Sequence, residues 1–307
     1  MADEKIIIGQ GGPYPLNGIL SLPEGAAGPV PAVVLVHGSG SSNMDEKVGA
    51  NYPFRDLAEG LSARGVAAVR YDKRSFVYGK QLVKNHSFSV FDETVEDAIL
   101  ASALLKADPR IDPGKVFIIG HSMGGMLAPR IDAEGGGFAG LILMAGTPRK
   151  LEEVLFEQMD EQIATFRWPL SAIIKKQRAS IRKKLAGLYE MSDDEAKEKK
   201  IMGGTRAYYW KEFGEKDAPS YLAKTQKPIL VMQGARDAQV SVERDFNVYT
   251  ELLAGRDNVS FKLYPELNHL FMPAVYGEIK KVFKEYKIPS RVAEEVLDDL
   301  AAWIGAI

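Results

Sequence analysis

The chain has 307 residues, of which 46% are apolar and 26% are charged, and its formal net charge at pH 7 is −2. This composition excludes a disordered chain, and the small net charge provides no field that would attract nucleic acid or an anionic membrane. Because there is no cysteine, disulfides, thiolate metal sites and a cysteine nucleophile are excluded. We therefore expect a globular protein whose partner is a small molecule.

The N-terminal segment does not resemble a signal peptide, because only Ile6 to Ile8 separate the acidic start from the first glycines. No apolar run approaches the roughly 20 residues of a membrane span. The sequence also contains neither a His-Glu-x-x-His metal motif nor a phosphate-binding Gly-x-x-x-x-Gly-Lys-Ser/Thr loop. We expect a soluble, cytoplasmic protein without metal or cofactor, and the sequence leaves homo-oligomerisation open.

The apolar pattern predicts an α/β fold. Residues 6–22 are interrupted by turn-forming glycines, which is typical of antiparallel hairpin strands at a sheet edge. Continuous apolar runs, typical of strands buried on both faces, lie at 31–36, 66–71, 115–119, 140–144 and 228–232, and a further strand is predicted at 258–263. Helical patterns lie at 54–64, 91–106, 242–253, 278–287 and 291–304. This alternation predicts a mostly parallel central sheet flanked by helices.

A helical insertion divides this pattern. Residues 151–202 contain no strand-like run, apolar residues recur near helical spacing, and Ser192-x-x-Glu195 is typical of a helix-capping box. We predict an α/β core formed by residues 1–148 and 222–307, with residues 149–221 as a helical cap over the strand ends. The basic residues between Lys175 and Lys184 fit a solvated helix face or, alternatively, a patch for an anionic substrate.

One strand leads directly into Gly120-His121-Ser122-Met123-Gly124, which small and helix-forming residues follow. A serine between a strand and a helix, flanked by glycines, is typical of a nucleophile elbow. The turn holds the serine Oγ out of the fold, and it places the Met123 N–H at a helix start, where an oxyanion is stabilised. Taken alone, the motif also fits an ordinary turn with a hydroxyl cap.

The next two strand ends supply Asp237 and His269, in the chain order Ser, Asp, His. His269 is suited to take the Ser122 proton as general base, and Asp237 to fix the imidazole tautomer. Asp245 and Asp257 are the alternative acids. After the first buried strand, the turn His37-Gly38-Ser39-Gly40 is predicted to add the Ser39 N–H as a second oxyanion donor, although a plain turn is the other interpretation.

These motifs together resemble the α/β-hydrolase superfamily and, within it, bacterial carboxylesterases related to the dienelactone-hydrolase branch. The resemblance covers about Val33 to Met272 outside the insertion, and it rests on the segments at 34–40, 70–74, 120–130 and 267–271. It implies the α/β-hydrolase fold and hydrolysis of short acyl esters without a cofactor. It also carries the catalytic and oxyanion roles over to the residues named above. The nucleophile is serine where dienelactone hydrolases proper use cysteine, so their substrate is not carried over.

The sequence therefore predicts a serine carboxylesterase that forms an acyl-enzyme. A peptidase, an amidase or an acyltransferase with the same triad remains an alternative, as does a non-catalytic binding protein of the same fold. Several aromatic side chains fit either the packing of the insertion or a substrate pocket. As candidate pocket residues we name Phe88, Trp168, Tyr208, Tyr209 and Trp210.

Overall fold

The computed structural model describes residues 2–307, and its centre is an eight-stranded sheet. The strands are β1 Ala2–Ile8, β2 Leu16–Leu22, β3 Val30–Val36, β4 Ala67–Tyr71, β5 Ile111–His121, β6 Leu141–Met144, β7 Ile229–Gly234 and β8 Val259–Tyr264. Their spatial order is β1-β2-β4-β3-β5-β6-β7-β8, with β1 and β2 antiparallel at one edge and the other strands parallel. The predicted mixed sheet with an antiparallel edge is confirmed.

The central strands are apolar at consecutive positions because both of their faces are covered. In β3, Val33 and Leu35 belong to one buried cluster, whereas Val34 and Val36 belong to the cluster on the opposite face. Fully buried side chains on both faces explain why the strand shows no alternation of polar and apolar residues.

Twelve α-helices connect and cover the strands within the described residues. They are α1 Pro53–Ser62, α2 Arg74–Leu82, α3 Glu96–Ala107, α4 Met123–Ile131, α5 Leu151–Thr165, α6 Leu170–Leu185, α7 Asp193–Glu198, α8 Ala207–Glu215, α9 Ala218–Leu222, α10 Asn247–Leu252, α11 Val282–Glu285 and α12 Glu294–Ala306. Leu57 of α1 and Leu300 of α12 pack on the sheet face that carries Val33. Helices α3, α4 and α10 contribute to the cluster on the other face.

Two helical predictions differ from the structure. Helix α2 forms where no helix was predicted, because its residues have no apolar stripe, and Arg74 at its start instead pairs with the buried Asp97 of α3. The predicted helix at 278–287 is a short 3₁₀ turn followed by the four-residue α11. No helix within residues 2–307 combines the length and hydropathy needed to cross a bilayer.

Five helices, α5 to α9, lie between β6 and β7. Ser192 and Glu195 form the predicted capping box at the start of α7. Helix α8 contacts the core through Glu212, which pairs with the fully buried Arg130 of α4. The basic side chains Lys175, Lys176 and Lys183 of α6 are exposed to solvent, as expected for a solvated helix face.

Candidate active site

Ser122 lies at a sharp bend between β5 and α4. Its φ is 54° and its ψ is −117°, a conformation that a residue with a side chain adopts only when its surroundings enforce it. A Cβ added to Gly120 would lie 2.1 Å from the Gly124 carbonyl oxygen, and one added to Gly124 would lie 2.1 Å from the Val36 oxygen. The two glycines therefore allow the strand, the bend and the helix to pack this closely. The Ser122 N–H donates to Met144 O at 2.8 Å, which fixes the bend to β6.

Two backbone amides flank Ser122. Met123 is the first residue of α4, where backbone N–H groups have no partner inside the helix, and Ser39 lies in the loop after β3. Within residues 2–307, neither of these N–H groups donates to another protein atom. Both residues line one cavity together with Ser122. The arrangement leaves two donors for an oxygen that develops negative charge.

Lys73 fixes the loop after β3 through hydrogen bonds to its backbone. This side chain is 1% exposed, and its Nζ donates to Gly38 O at 2.8 Å and to Gly40 O at 3.1 Å. His37 is also buried, with its Nε2 3.0 Å from Asn43 O. Burial lowers the pKa of His37 from 6.5 to about 4, so its ring is neutral at pH 7 and donates from Nε2 to that carbonyl.

Asp237 and His269 form a buried pair after β7 and β8. His269 Nδ1 lies 2.7 Å from Asp237 Oδ2, which also accepts from Gln233 Nε2 at 2.9 Å. Asp237 Oδ1 accepts the N–H groups of Gln239 and Val240 at 2.7 and 3.0 Å. Four hydrogen bonds therefore hold the carboxylate. Because Nδ1 faces this acceptor, a neutral His269 ring carries its basic lone pair on Nε2.

The loop that carries His269 is fixed by its neighbour. Asn268 Oδ1 accepts the Leu270 N–H at 2.9 Å, and Asn268 Nδ2 donates to Glu285 Oε1 at 2.8 Å. The ring of His121, which precedes Ser122, lies 4.8 Å from the His269 ring, measured between centroids. The fold thus brings Ser122, Asp237 and His269 to the same edge of the sheet.

A cavity of about 510 Å³ opens beside Ser122 and runs between the core and the insertion. Most of its lining is apolar, and Glu93 is the only charged side chain among the described residues that line it. Glu93 is 7% exposed, accepts a hydrogen bond from Tyr209 Oη at 2.6 Å, and lies 3.7 Å from Lys73 Nζ. The site therefore offers a mostly apolar environment with one compensated carboxylate.

Five of the residues predicted for the site line this cavity in addition to Ser122. They are Ser39, Phe88, Met123, Tyr209 and Trp210. The structure does not bring the other two predicted pocket residues to it. Trp168 is 82% exposed at the turn between α5 and α6, and Tyr208 lies in a separate surface depression, with Lys197 Nζ 5.3 Å from its ring centroid. Residue type alone did not separate the adjacent Tyr208 and Tyr209, because the direction of each side chain depends on how α8 packs.

The sequence reasoning missed three polar residues of the site. Gln233 is 1% exposed and bonds Asp237, Lys73 holds the loop after β3, and Glu93 lies in the cavity. A signal existed for Gln233, because it is a polar residue at the end of an otherwise apolar strand. Lys73 lies in the segment 70–74 that contributes to the resemblance, but no role was predicted for it, and Glu93 appears in sequence as an ordinary charged residue of a predicted helix.

The strand order, the bend at Ser122 and the helices on both sheet faces define an α/β-hydrolase fold. Solved structures support this: Est1E from Butyrivibrio proteoclasticus has a TM-score of 0.57 at 15% identity, with 97% of this chain and 99% of that chain covered. The Pyrococcus furiosus esterase Pf2001 has a TM-score of 0.57 at 16% identity, with 99% and 91% covered. At these identities the likeness concerns the fold alone.

The family follows from the sequence match. A family model described as Hydrolase_4, serine aminopeptidase S33, matches residues 28–273, and the chain belongs to this family. The chain is also similar to esterase EstD of Thermotoga maritima, with 37% identity over 289 residues. That alignment covers 94% of this chain, whereas the chain spans 65% of the relative's length.

Proposed function

We propose that this protein hydrolyses carboxylic esters through an acyl-enzyme. In this proposal Ser122 attacks the acyl carbon while His269 Nε2 takes the hydroxyl proton. The N–H groups of Ser39 and Met123 stabilise the oxyanion, and Asp237 keeps the imidazole oriented and stabilises its charged form. The protonated His269 then gives its proton to the departing alcohol. In the second half, His269 activates a water molecule that attacks the acyl-enzyme and releases the carboxylic acid.

The observation that carries this proposal is the 2.7 Å contact between His269 and the fully buried side chain of Asp237, at the same end of the parallel strands as the strained bend at Ser122. An imidazole with Nδ1 on a carboxylate presents Nε2 as a base, and a strained strand-to-helix bend holds a serine hydroxyl out of the fold. The similarity to EstD, an esterase, supports ester hydrolysis as the reaction.

Because the cavity is mostly apolar, we infer that it binds an uncharged acyl or alcohol group of the substrate. The insertion at 149–221 supplies part of that lining through Leu151, Val154, Leu155, Tyr209 and Trp210. We therefore assign to it the role of a cap that determines which acyl chains enter. A series of p-nitrophenyl esters of increasing acyl length tests this role, and we expect turnover to favour the shorter chains.

An aminopeptidase is the second candidate, because the family description names a serine aminopeptidase. Such an enzyme needs a free carboxylate to bind the substrate's ammonium group. Glu93 is the only charged residue in the cavity lining of the described chain, and Lys73 and Tyr209 already engage its oxygens. This compensation favours a neutral ester. Matched aminoacyl anilides and acyl esters discriminate the two reactions.

A fluorophosphonate probe tests the nucleophile directly. We expect covalent labelling of the wild-type protein at Ser122 and, for Ser122→Ala, loss of labelling together with a fall in kcat of roughly 10⁶-fold. The matched control is Ser87→Ala, which removes an exposed serine hydroxyl outside the cavity and should leave labelling unchanged. Ester hydrolysis that persists in Ser122→Ala would overturn the proposal.

A further inference from the structure

Glu46 and His121 are two buried ionisable residues that the proposed chemistry does not use. Each is 5% exposed, and they come from different loops: Glu46 follows β3, and His121 ends β5. Burying a charged group costs free energy unless a partner compensates it. Their contacts indicate what each of them does.

The pair connects three loops. Glu46 Oε1 accepts the Gly38 N–H at 2.8 Å, and Glu46 Oε2 lies 2.9 Å from His121 Nδ1. On the other side of the ring, His121 Nε2 lies 2.9 Å from the backbone oxygen of His269. One carboxylate and one imidazole therefore connect the loop after β3, the residue before Ser122 and the loop after β8.

The geometry decides the protonation of His121. A neutral imidazole has one N–H donor, whereas each ring nitrogen of His121 lies 2.9 Å from an oxygen: Nε2 is hydrogen-bonded to a carbonyl, and Nδ1 is in an ion-pair contact with a carboxylate at an angle outside that of a hydrogen bond. The doubly protonated ring donates from Nε2 to the carbonyl and places a positive charge beside the buried carboxylate. Burial acts against this charge, but Glu46 outweighs it and raises the pKa of His121. In the same way, burial acts to raise the pKa of Glu46, and the charge of His121 lowers it overall.

The other titratable groups that act on this pair lie on four different segments. They are His37 after β3, Asp237 after β7, His269 after β8 and Tyr286 after α11. Burial lowers the pKa of His37 to about 4, so its ring brings no positive charge against His121 at neutral pH. The negative charge of Asp237 favours the imidazolium, as that of Glu46 does.

The loop after β3 packs directly against Ser122, so a small movement of this loop changes the surroundings of the serine. A Cβ built on Gly38 would lie 3.1 Å from Ser122 Cβ, and Gly38 precedes Ser39, the proposed oxyanion donor. Glu46 itself has a φ of 49°, and its N–H donates to Asn43 O at 2.9 Å. A strained residue that holds the backbone beside a reactive serine is well placed to act on the geometry of the site.

We propose that Glu46 and a permanently protonated His121 form a positioning pair that sets the oxyanion loop and the His269 loop relative to Ser122. The pair touches no substrate and transfers no proton. It acts through the distances between the Ser39 N–H, Ser122 Oγ and the His269 ring. The role in catalysis rests on the proposed ester hydrolysis, whereas the protonation state of His121 does not.

Protonation is tested by ¹⁵N NMR of the four histidine rings, assigned by single His→Gln variants. We expect both His121 nitrogens to carry protons at pH 8. In Glu46→Gln, a side-chain amide replaces the carboxylate, and we expect His121 to become neutral with its proton on Nε2. A neutral His121 in the wild-type protein would overturn the proposal whether or not the protein hydrolyses esters.

Positioning is tested by steady-state kinetics. We expect His121→Leu to lower kcat by about 10²-fold, the size expected for a displacement on the order of 1 Å, with KM changed less than about threefold. Glu46→Gln should lower kcat less, because its amide keeps the shape of the carboxylate and still reaches Gly38 and His121.

The matched control is Asp45→Asn. It removes the carboxylate next to Glu46 in sequence, which accepts a hydrogen bond from Arg70 Nε at 3.0 Å and does not contact His121. It should keep kcat within about twofold of wild type. An active wild type whose folded Glu46→Gln and His121→Leu variants both keep full kcat would overturn the positioning role. If the wild type neither hydrolyses esters nor reacts with the fluorophosphonate, the function proposal fails, and the NMR result still decides the protonation state.

Discussion

The loops at the carboxyl ends of the parallel strands, around Ser122, and the helical insertion that covers them are stabilised in different ways. At the carboxyl ends of the strands, the side chain of Asp237 is fully buried and accepts four hydrogen bonds, and buried side chains hold each neighbouring loop. In the insertion, α5 buries only Val154 and Met159, and α6 buries only Ile174, Ile181 and Leu185. The reaction is thus assigned to a frame of buried hydrogen bonds, and access to it to an insertion whose first two helices bury few side chains.

Ion pairs and hydrogen bonds of buried and half-buried side chains attach the insertion to the core. Arg130 of α4 pairs with Glu212 of α8 and lies 3.2 Å from Glu134, which also accepts a hydrogen bond from Tyr221 Oη at 2.6 Å. Tyr209 of α8 bonds Glu93 inside the cavity. We therefore expect changes at the carboxyl ends of the strands to alter turnover, whereas changes at these anchors alter stability.

Among changes to the residues that support Ser122 and to the anchors of the insertion, the largest effect is expected for Asp237→Asn. The amide cannot fix the same tautomer of His269, so we expect kcat to fall by roughly 10⁴-fold in a protein that still folds. The matched control is Asp245→Asn, also fully buried, whose contacts are Thr147 Oγ1, Arg149 Nε and the Ser241 N–H. It should lose about 1–3 kcal/mol of stability and little turnover. The reverse pattern would identify Asp245 as the catalytic acid.

Arg130→Met is expected to weaken the folded state more than any surface change. It removes a fully buried guanidinium and leaves Glu212 and Glu134 without their main partner, which costs roughly 3–5 kcal/mol. Urea unfolding measures this loss. As a control, Arg178→Met breaks a partly exposed pair with Asp160 and should cost less than about 1 kcal/mol. Equal losses in both variants would contradict the anchoring role of Arg130.

Acid is expected to destabilise the protein through His37. Its folded-state pKa of about 4 lies below the 6.5 of an unperturbed ring, so between these pH values the unfolded chain binds a proton that the native protein does not. Stability therefore falls as the pH decreases from 6.5 towards 4, by up to about 3 kcal/mol from this residue. Urea unfolding of wild type and His37→Gln at pH 7, 6 and 5 checks this, because the variant should show a shallower decline. Identical declines would assign the acid sensitivity to other groups.

The smallest expected effect is a difference in kcat/KM between alanine variants of two tryptophans of the insertion, Trp210 and Trp168. Trp210 lines the cavity and its Nε1 donates to Thr205 Oγ1 at 2.9 Å, whereas Trp168 is almost fully exposed. We expect Trp210→Ala to lower kcat/KM for esters about tenfold, through lost apolar contact with the substrate, and Trp168→Ala to stay within about twofold. A larger loss in Trp168→Ala would show that the turn between α5 and α6 contacts substrate.

The sequence predicted the parts of this molecule that depend on local structure. Buried strands produce continuous apolar runs, and a sharp strand-to-helix bend requires glycines such as Gly120 and Gly124, so both leave a pattern in neighbouring residues. The placement of Asp237 and His269 followed because both come directly after strands of one parallel sheet.

Other features depend on residues distant in the chain. Glu46 meets His121 only after β3 and β5 pair, and α2 is helical without an apolar stripe of its own. The side chains of Tyr208 and Tyr209 separate only when α8 packs on the core. No pattern of neighbours could have predicted these features, since each arises from contacts between elements that fold together.

The pairing of Arg130 with Glu212 has a consequence for exchanging parts between relatives. Arg130, which pairs with Glu212 of the insertion, lies in α4, the helix that begins directly after Ser122. A chimera carrying another protein's insertion must supply an acid at the position of Glu212, or replace Arg130 with an apolar residue. Exchange of the segment between residues 148 and 222 is therefore constrained by Arg130, which lies outside the exchanged segment.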